Sequence, residues 1–123
     1  MNININATNM ELTPAIRAYV ENKIGNLEKF VSSHGDNAQV QVEVGKTTQH
    51  HQKGDVFRAE INISLSGNSY QFRAESETDN LYAAIDLAKD ELERELIRFK
   101  GKRETIYRRG AKTLKSLIKR FWE

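Results

Sequence analysis

The fold is decided by a hairpin pattern in residues 57–75, which read FRAEINISLSGNSYQFRAE. Apolar and polar residues alternate along 57–65 and alternate again along 70–75. A period of two is typical of a strand that buries one face, since successive side chains point to opposite faces. The Ser-Gly-Asn sequence at 66–68 is typical of a tight turn. The stretch therefore predicts two antiparallel strands. The residues predicted to share their apolar face are Phe57, Ala59, Ile61, Ile63, Leu65, Tyr70, Phe72 and Ala74.

Two earlier segments alternate in the same way and flank a predicted helix. Residues 2–7 read NININA and residues 39–44 read QVQVEV, so each predicts a strand with one apolar face. Between them, Thr13 followed by Pro14 is typical of a helix N-terminus. Apolar residues then recur at helical spacing, which predicts one helix that fades at the polar segment SSHGDN. Its apolar stripe consists of Ile16, Tyr19, Val20, Ile24, Leu27, Phe30 and Val31.

A longer helix is predicted after the hairpin, from Asp79 and Asn80 onward. Its apolar stripe consists of Leu81, Ile85, Ala88, Leu92, Leu96 and Phe99. The residues predicted to point outward to solvent are Asp86, Lys89, Asp90, Glu93 and Arg94. Gly101 lies where this helix is predicted to end or bend. The element order is β-α-β-β-β-α, and a β-α-β start implies a right-handed crossover with the first two strands parallel. The predicted fold is therefore α+β, a four-stranded sheet with two helices on one face.

The last segment, residues 105–123, reads TIYRRGAKTLKSLIKRFWE and predicts a basic amphipathic helix that Gly110 separates from the preceding one. Leu114, Leu117, Ile118 and Phe121 have the i, i+3, i+4, i+7 spacing of one helical face. Such a helix suits an anionic membrane, a partner's groove or nucleic acid. We expect residues 1–104 to form one α+β domain and residues 105–123 a C-terminal extension.

Charge is divided unevenly along the chain. Residues 1–95 contain 9 Lys and Arg against 15 Asp and Glu, a net charge of −6. Residues 96–123 contain 10 Lys and Arg against 2 Glu, a net charge of +8. This asymmetry predicts a basic arm on a weakly acidic body.

Composition and motifs exclude several classes of function. The chain has no cysteine, so disulfides, thiol nucleophiles and thiolate metal sites are excluded. No secretory signal is visible, and no apolar stretch approaches the ~20 residues that cross a bilayer. We therefore expect a cytoplasmic protein. His34, His50 and His51 lack metal-ligand spacing, and no serine has an activating base nearby, so neither an enzyme nor a metal, cofactor or small-molecule substrate is expected.

The predicted open face of the sheet carries polar residues and no aromatic residue, so it lacks a platform on which RNA bases could stack. If the protein binds RNA, the helices and the basic extension must supply the contacts, through Lys and Arg on phosphates. Dipole compensation at a helix C-terminus would account for Arg94 and Arg98 alone, and i, i+4 pairing would account for Lys89. The candidate RNA-binding residues are Arg17, Lys23, Lys29, Lys89, Arg94, Arg98, Lys100, Lys102, Arg103, Arg108, Arg109 and Lys112.

Three segments together resemble one known family. They are TPAIRAYVENKIGNLEKF at 13–30, FRAEINISLSG at 57–67 and DNLYAAIDLAKDELERELIRFKGK at 79–102. The chain is similar over residues 1–102 to the ribosome hibernation promoting factors, also called ribosome-associated inhibitors. The YAAID segment at 82–86 is the most specific part of the likeness.

The resemblance implies a double-stranded-RNA-binding-like fold and a partner, the small ribosomal subunit with its 16S-type rRNA, alone or within the 70S ribosome. It implies that the protein occupies the decoding cleft for mRNA and tRNA, inhibits translation and preserves idle ribosomes under stress. Family members contact rRNA through basic residues on both helices. The matching positions here are Arg17, Lys23, Arg94, Arg98 and Lys100.

The sequence departs from the family pattern at Glu91, where lysine is common, and near Asn26, where another basic residue is common. We expect a short-type factor with a basic extension, since the chain is too short for the C-terminal dimerisation domain of long members, and a monomer away from the ribosome. A general RNA-binding or RNA-chaperone module that uses the same basic helix face is the alternative. A membrane-peripheral or protein-docking module based on the terminal helix is a third possibility.

Overall fold

The described residues form a mixed sheet with helices packed on one of its faces. The computed structural model describes the backbone of residues 1–31, 38–47, 54–65 and 70–122, and the side chains of these ranges as far as Gly101. In chain order the elements are β1 (Asn2–Thr8), α1 (Pro14–Gly25), α2 (Glu28–Val31), β2 (Gln39–Thr47), β3 (Val56–Leu65), β4 (Tyr70–Thr78) and α3 (Leu81–Trp122). The predicted α+β class and strand order are confirmed.

The four strands lie in the order β1-β2-β3-β4. Strands β1 and β2 are parallel, as the crossover rule predicts, while β2–β3 and β3–β4 are antiparallel. Ile5 pairs with Val42, Val42 with Ile61, and Ile61 with Ala74, so one row of buried apolar side chains crosses the whole sheet. The alternating sequence pattern therefore places one continuous apolar face under the helices.

The first helical region is divided into two helices, whereas the sequence predicted one. The Thr13 side chain accepts a hydrogen bond from the Ile16 amide (3.2 Å) and caps α1, with Pro14 at its first position. Glycine is a poor helix former, and α1 ends at Gly25. The Leu27 amide then donates to the Ile24 carbonyl (2.9 Å), a three-residue spacing that tightens the chain before α2.

Helix α3 begins at a cap built by two side chains. The Asn80 side chain accepts hydrogen bonds from the amides of Tyr82 (2.9 Å) and Ala83 (3.3 Å), and the Thr78 hydroxyl accepts one from the Asn80 amide (3.0 Å). The helical backbone then continues through Gly101 and Gly110, where the sequence predicted an end or a bend and a separation. The basic extension is thus a continuation of α3, because an isolated glycine costs a helix only about 1 kcal/mol.

The core lies between the sheet and the helices. The predicted stripes of the helices lie there, buried except for Tyr19, Phe30 and Phe99, which are partly buried, and Ala84 joins them. Every fully buried side chain in the described part of the protein is apolar. Phe72 and Phe99 close the core at the β4 edge, with ring centroids 5.1 Å apart, and Tyr70 lies 4.9 Å from Phe99.

Some predictions concern residues outside the described ranges. These are the turn at 66–68, His34, His50 and His51, and the side chains of Lys102, Arg103, Arg108, Arg109, Lys112, Leu114, Leu117, Ile118 and Phe121. Among the helices that are described, we find none with the length and apolar character needed to cross a membrane.

Candidate nucleic-acid interface

On the open face of the sheet, opposite the helices, the arginines form ion pairs with neighbouring glutamates. Arg58 pairs with Glu75 (2.6 Å) and Glu60, and Arg73 pairs with Glu75 (2.9 Å) and Glu60 (3.2 Å). Hydrogen bonds from Arg73 and Asn62 lower the pKa of Glu60 to about 2. Because both arginines already hold carboxylates, this face offers little free positive charge to a polyanion.

The helices form the other face, and α1 and α3 meet there through a cluster of four side chains. The Tyr19 hydroxyl donates a hydrogen bond to Asp86 Oδ1 (2.7 Å), and Lys23 Nζ lies 3.4 Å from the same oxygen. The ammonium of Lys23 also lies 5.4 Å from the Tyr19 ring centroid, and that ring makes an edge contact with Tyr82 (4.7 Å between centroids). The hydrogen bond to Asp86 raises the pKa of Tyr19 to about 12, so the hydroxyl stays protonated at neutral pH.

Further along, α2 and α3 border a shallow depression. Its volume is about 310 Å³, and Phe30, Ile97, Lys100 and Gly101 line it. Lys29 places its ammonium 5.1 Å from the Phe30 ring centroid. Lys23, Lys29 and Lys100 therefore lie along one surface between α1–α2 and α3, which we call the interhelical groove.

Arg94 and Arg98 belong to a different strip. Arg98 lines an open depression of about 370 Å³ with Phe72, Glu95 and Phe99, on the side of α3 that faces β4. Each residue turns an α-helix by about 100°, so Arg98 and Lys100 lie on nearly opposite sides of α3, whereas Arg94 and Arg98 share a side. All three side chains are exposed, and none forms an ion pair with another described residue.

Two of the candidates are engaged by carboxylates of their own helix. The Lys89 side chain is only 14% exposed and lies 2.7 Å from Glu93 and 3.6 Å from Asp90. The hydrogen bond between Lys89 and Glu93 raises the pKa of the lysine and lowers that of the glutamate. Arg17 forms a longer, exposed pair with Glu21 (3.9 Å). The structure therefore argues against Lys89 as a phosphate ligand and leaves Arg17 accessible.

The structure thus brings Lys23, Lys29 and Lys100 into one strip and Arg94 and Arg98 into another, rather than all five into one patch. Sequence reasoning missed Tyr19 and Asp86, which it assigned to an apolar stripe and to a solvated face. Each assignment follows correctly from helical spacing, but the contact between them depends on how α1 and α3 pack. One signal was available in the sequence: a tyrosine in an apolar stripe has a hydroxyl group that needs a hydrogen-bond partner.

The amino-acid sequence is similar to a known protein family and to several of its members. The sequence model of the Sigma 54 modulation protein / S30EA ribosomal protein family matches residues 3–104. The chain is 36% identical over 98 residues to the ribosome hibernation promotion factor of Lactococcus lactis, covering 79% of this chain and 48% of that protein. It is 33% identical over 102 residues to the factor of the same name from Bacillus subtilis, covering 83% and 50%. The chain therefore spans about half the length of these curated relatives.

Solved structures share the fold. The N-terminal domain of Thermus thermophilus Protein Y superposes with a TM-score of 0.61 at 36% identity, covering 80% of this chain and 99% of that one. A ribosomal subunit interface protein from Coxiella burnetii superposes with a TM-score of 0.61 at 19% identity, covering 82% and 99%. At that lower identity the second likeness supports the fold alone.

Proposed function

Since the chain belongs to the Sigma 54 modulation protein / S30EA ribosomal protein family, we propose that it is a ribosome-binding hibernation factor. The names of the relatives from Lactococcus lactis and Bacillus subtilis support this function. They are about twice as long as the segment they share with this chain, so the proposal concerns what the shared α+β domain does.

The proposed binding site is the decoding cleft of the small ribosomal subunit, where the protein would exclude mRNA and tRNA. The observation that carries this proposal is the distribution of free positive charge. Arg94, Arg98 and Lys100 are exposed on α3, whereas the arginines of the open face are paired with carboxylates. We therefore propose that the helices face the rRNA and the sheet faces away from it.

Recognition on this basis depends on phosphates and RNA shape rather than on base sequence. Lysine and arginine side chains on phosphates supply affinity without reading bases. Within the described residues the open face carries no aromatic side chain on which a base could stack. We propose that the protein acts by occupying the cleft and not by catalysing a reaction.

The test is co-sedimentation of the protein with small subunits and 70S ribosomes over a range of salt concentrations. Arg98→Gln removes one cation from α3, and the matched control Arg73→Gln removes one from the open face. We expect Arg98→Gln to weaken binding and to reduce the slope of log affinity against log salt by about 0.7–0.9, the effect of one lost phosphate contact. Arg73→Gln should leave that slope unchanged.

Three results would contradict the proposal. If the wild-type protein does not pellet with ribosomes at low salt, ribosome binding is wrong. If an unrelated RNA duplex competes as well as the small subunit does, the protein is a general RNA-binding module. If only Arg73→Gln changes the slope, the protein binds through the opposite face.

A further inference from the structure

Lys23 differs from Arg94, Arg98 and Lys100 of the helical face because it is held in place by a carboxylate of the neighbouring helix. Its side chain is 36% exposed and its partner Asp86 is 40% exposed, so the pair lies at the border between the interhelical groove and solvent. Arg94, Arg98 and Lys100 form no such pair with described residues. A long, flexible lysine side chain has thus been given a preferred position at the surface.

Tyr19 fixes the carboxylate of Asp86, which in turn pairs with Lys23. Its hydroxyl donates to Asp86 Oδ1 (2.7 Å), the oxygen that lies 3.4 Å from Lys23 Nζ. The carboxylate can therefore not swing away from the lysine without breaking this shorter hydrogen bond. The face of the Tyr19 ring, 5.4 Å from Nζ, gives the ammonium a second favourable contact.

The arrangement leaves Lys23 able to bind another anion. An ammonium has three N–H donors, and a single contact with Asp86 Oδ1 occupies one of them. Beside Lys23, an open depression of about 440 Å³ is also lined by Ala15, Ala18, Tyr19 and Asn22. An RNA phosphate has room to approach the ammonium there while Asp86 keeps its contact.

We propose that Asp86, fixed by Tyr19, is a positioning residue that presents Lys23 to a phosphate of the ribosomal RNA. The inference rests on the proposed function and adds to it a role for an acidic residue. Because the Lys23 side chain is ordered before binding, its conformational entropy is not lost when the phosphate binds. Asp86 thus favours the binding of a polyanion although it carries a negative charge itself.

The sign of one measurement separates this role from simple charge repulsion. If Asp86 acts on RNA only through its charge, Asp86→Asn removes a repulsion and tightens ribosome binding. If Asp86 positions Lys23, the same substitution weakens binding. The matched control is Glu91→Gln, which removes a carboxylate from an exposed site of α3 that forms no ion pair with the described residues.

The experiment measures the dissociation constant from 70S ribosomes for full-length variants by co-sedimentation. We expect Asp86→Asn to weaken binding by about threefold to tenfold, the cost of immobilising one flexible side chain. Tyr19→Phe leaves the net charge unchanged at neutral pH and should weaken binding in the same direction. Glu91→Gln should tighten binding or leave it unchanged. Thermal unfolding of each variant establishes that it is folded at the assay temperature.

A double-mutant cycle excludes a merely structural role. If Asp86 acts through Lys23, adding Asp86→Asn to Lys23→Gln should cause no further loss of binding, although any effect on stability would persist. Lys23→Arg, which keeps a cation able to pair with Asp86, should restore most of the affinity lost in Lys23→Gln.

The outcomes for the two proposals are distinguishable. Failure of the wild-type protein to bind ribosomes refutes the proposed function. Binding of the wild type with a tighter complex for Asp86→Asn, or unchanged affinity for Lys23→Gln, refutes the positioning role alone. Should Asp86→Asn not fold, Tyr19→Phe decides, since unchanged affinity for that variant also refutes it.

Discussion

At the scale of single residues, Glu60 links the stability of the fold to pH. Its side chain is 16% exposed and accepts hydrogen bonds from Arg58, Arg73 and Asn62. The pKa of its carboxyl group falls from 4.5 to about 2, chiefly through the hydrogen bonds from Arg73 and Asn62. A carboxylate whose pKa is lower in the folded state stabilises the protein above its unfolded pKa, and this stabilisation is lost as pH falls through the folded pKa.

The first prediction follows from that sign. Glu60→Gln should lower the free energy of unfolding at pH 7 by about 1–3 kcal/mol, which allows for the partial exposure of the network. Between pH 4.5 and pH 2, the free energy of unfolding of the variant should also fall less than that of the wild type. Urea unfolding at a series of pH values measures both effects. The control is Glu77→Gln, a nearby exposed position without an ion pair in the described structure. Parallel pH curves for Glu60→Gln and the wild type would contradict the prediction.

Single residues also show where sequence reasoning stops. Helical spacing includes Tyr19 in the apolar stripe of α1 and places Asp86 on the solvated side of α3, whereas in the structure both residues are half-buried and in contact with each other. Their 2.7 Å hydrogen bond joins residues 67 positions apart. No local pattern encodes such a contact, because it depends on the angle and offset at which two helices pack on one sheet.

At the scale of elements, glycine did not interrupt α3 in the way that the sequence suggested. Gly101 lies within the helical backbone, and a Cβ atom added there would meet none of the described atoms within 4 Å, apart from its chain neighbours and the backbone of its own helix. Sequence rules treat glycine as a stop signal near a helix end, but an isolated glycine only weakens a helix. The same residue type does coincide with the end of α1, where Gly25 precedes the turn into α2.

The second prediction tests the continuity of α3. Gly101→Ala should raise the free energy of unfolding by about 0.5–1 kcal/mol, because alanine restricts the unfolded chain and fits a helical backbone. The matched control is Gly54→Ala. Among the described residues other than its chain neighbours, no atom lies within 4 Å of its added Cβ either, but Gly54 has a φ of +102°, so alanine there should destabilise the protein. Chemical unfolding and the helical circular dichroism signal measure the two variants. A loss of stability in Gly101→Ala would show that the backbone at this position is not helical in solution.

At the scale of the whole molecule, alternation along the strands was sufficient to predict the sheet and its buried face. The row Ile5, Val42, Ile61 and Ala74 follows once the β-α-β crossover makes β1 and β2 parallel. The binding surface was less predictable. The sequence provides a list of cations, but the three-dimensional structure decides that Lys89 is covered and that Arg98 and Lys100 lie on opposite sides of α3.

From the distribution of charge over the whole molecule, we expect the basic extension to contribute to the proposed ribosome binding. Residues 1–104 contain 13 Lys and Arg against 16 Asp and Glu, a net charge of −3, while residues 105–123 contain 6 Lys and Arg against 1 Glu, a net charge of +5. An acidic domain approaching rRNA is repelled at long range unless basic groups offset its charge. The division at residue 104 remains a prediction, and so does the contact of Arg108, Arg109 and Lys112 with RNA.

The third prediction concerns that extension. Replacing Arg108, Arg109 and Lys112 together by glutamine in the full-length protein should weaken ribosome binding. The slope of log affinity against log salt should also fall by about 0.7–0.9 for each phosphate contact that is lost.

Deletion of residues 105–123 should reduce the slope at least as much, and thermal unfolding of the shortened protein shows whether residues 1–104 fold alone. A shortened protein of lower stability would indicate that Leu114, Leu117, Ile118 and Phe121 pack on the domain. Unchanged stability would indicate that these apolar residues contact the ribosome instead. An unchanged slope in both variants would show that the charges of the extension do not contact RNA.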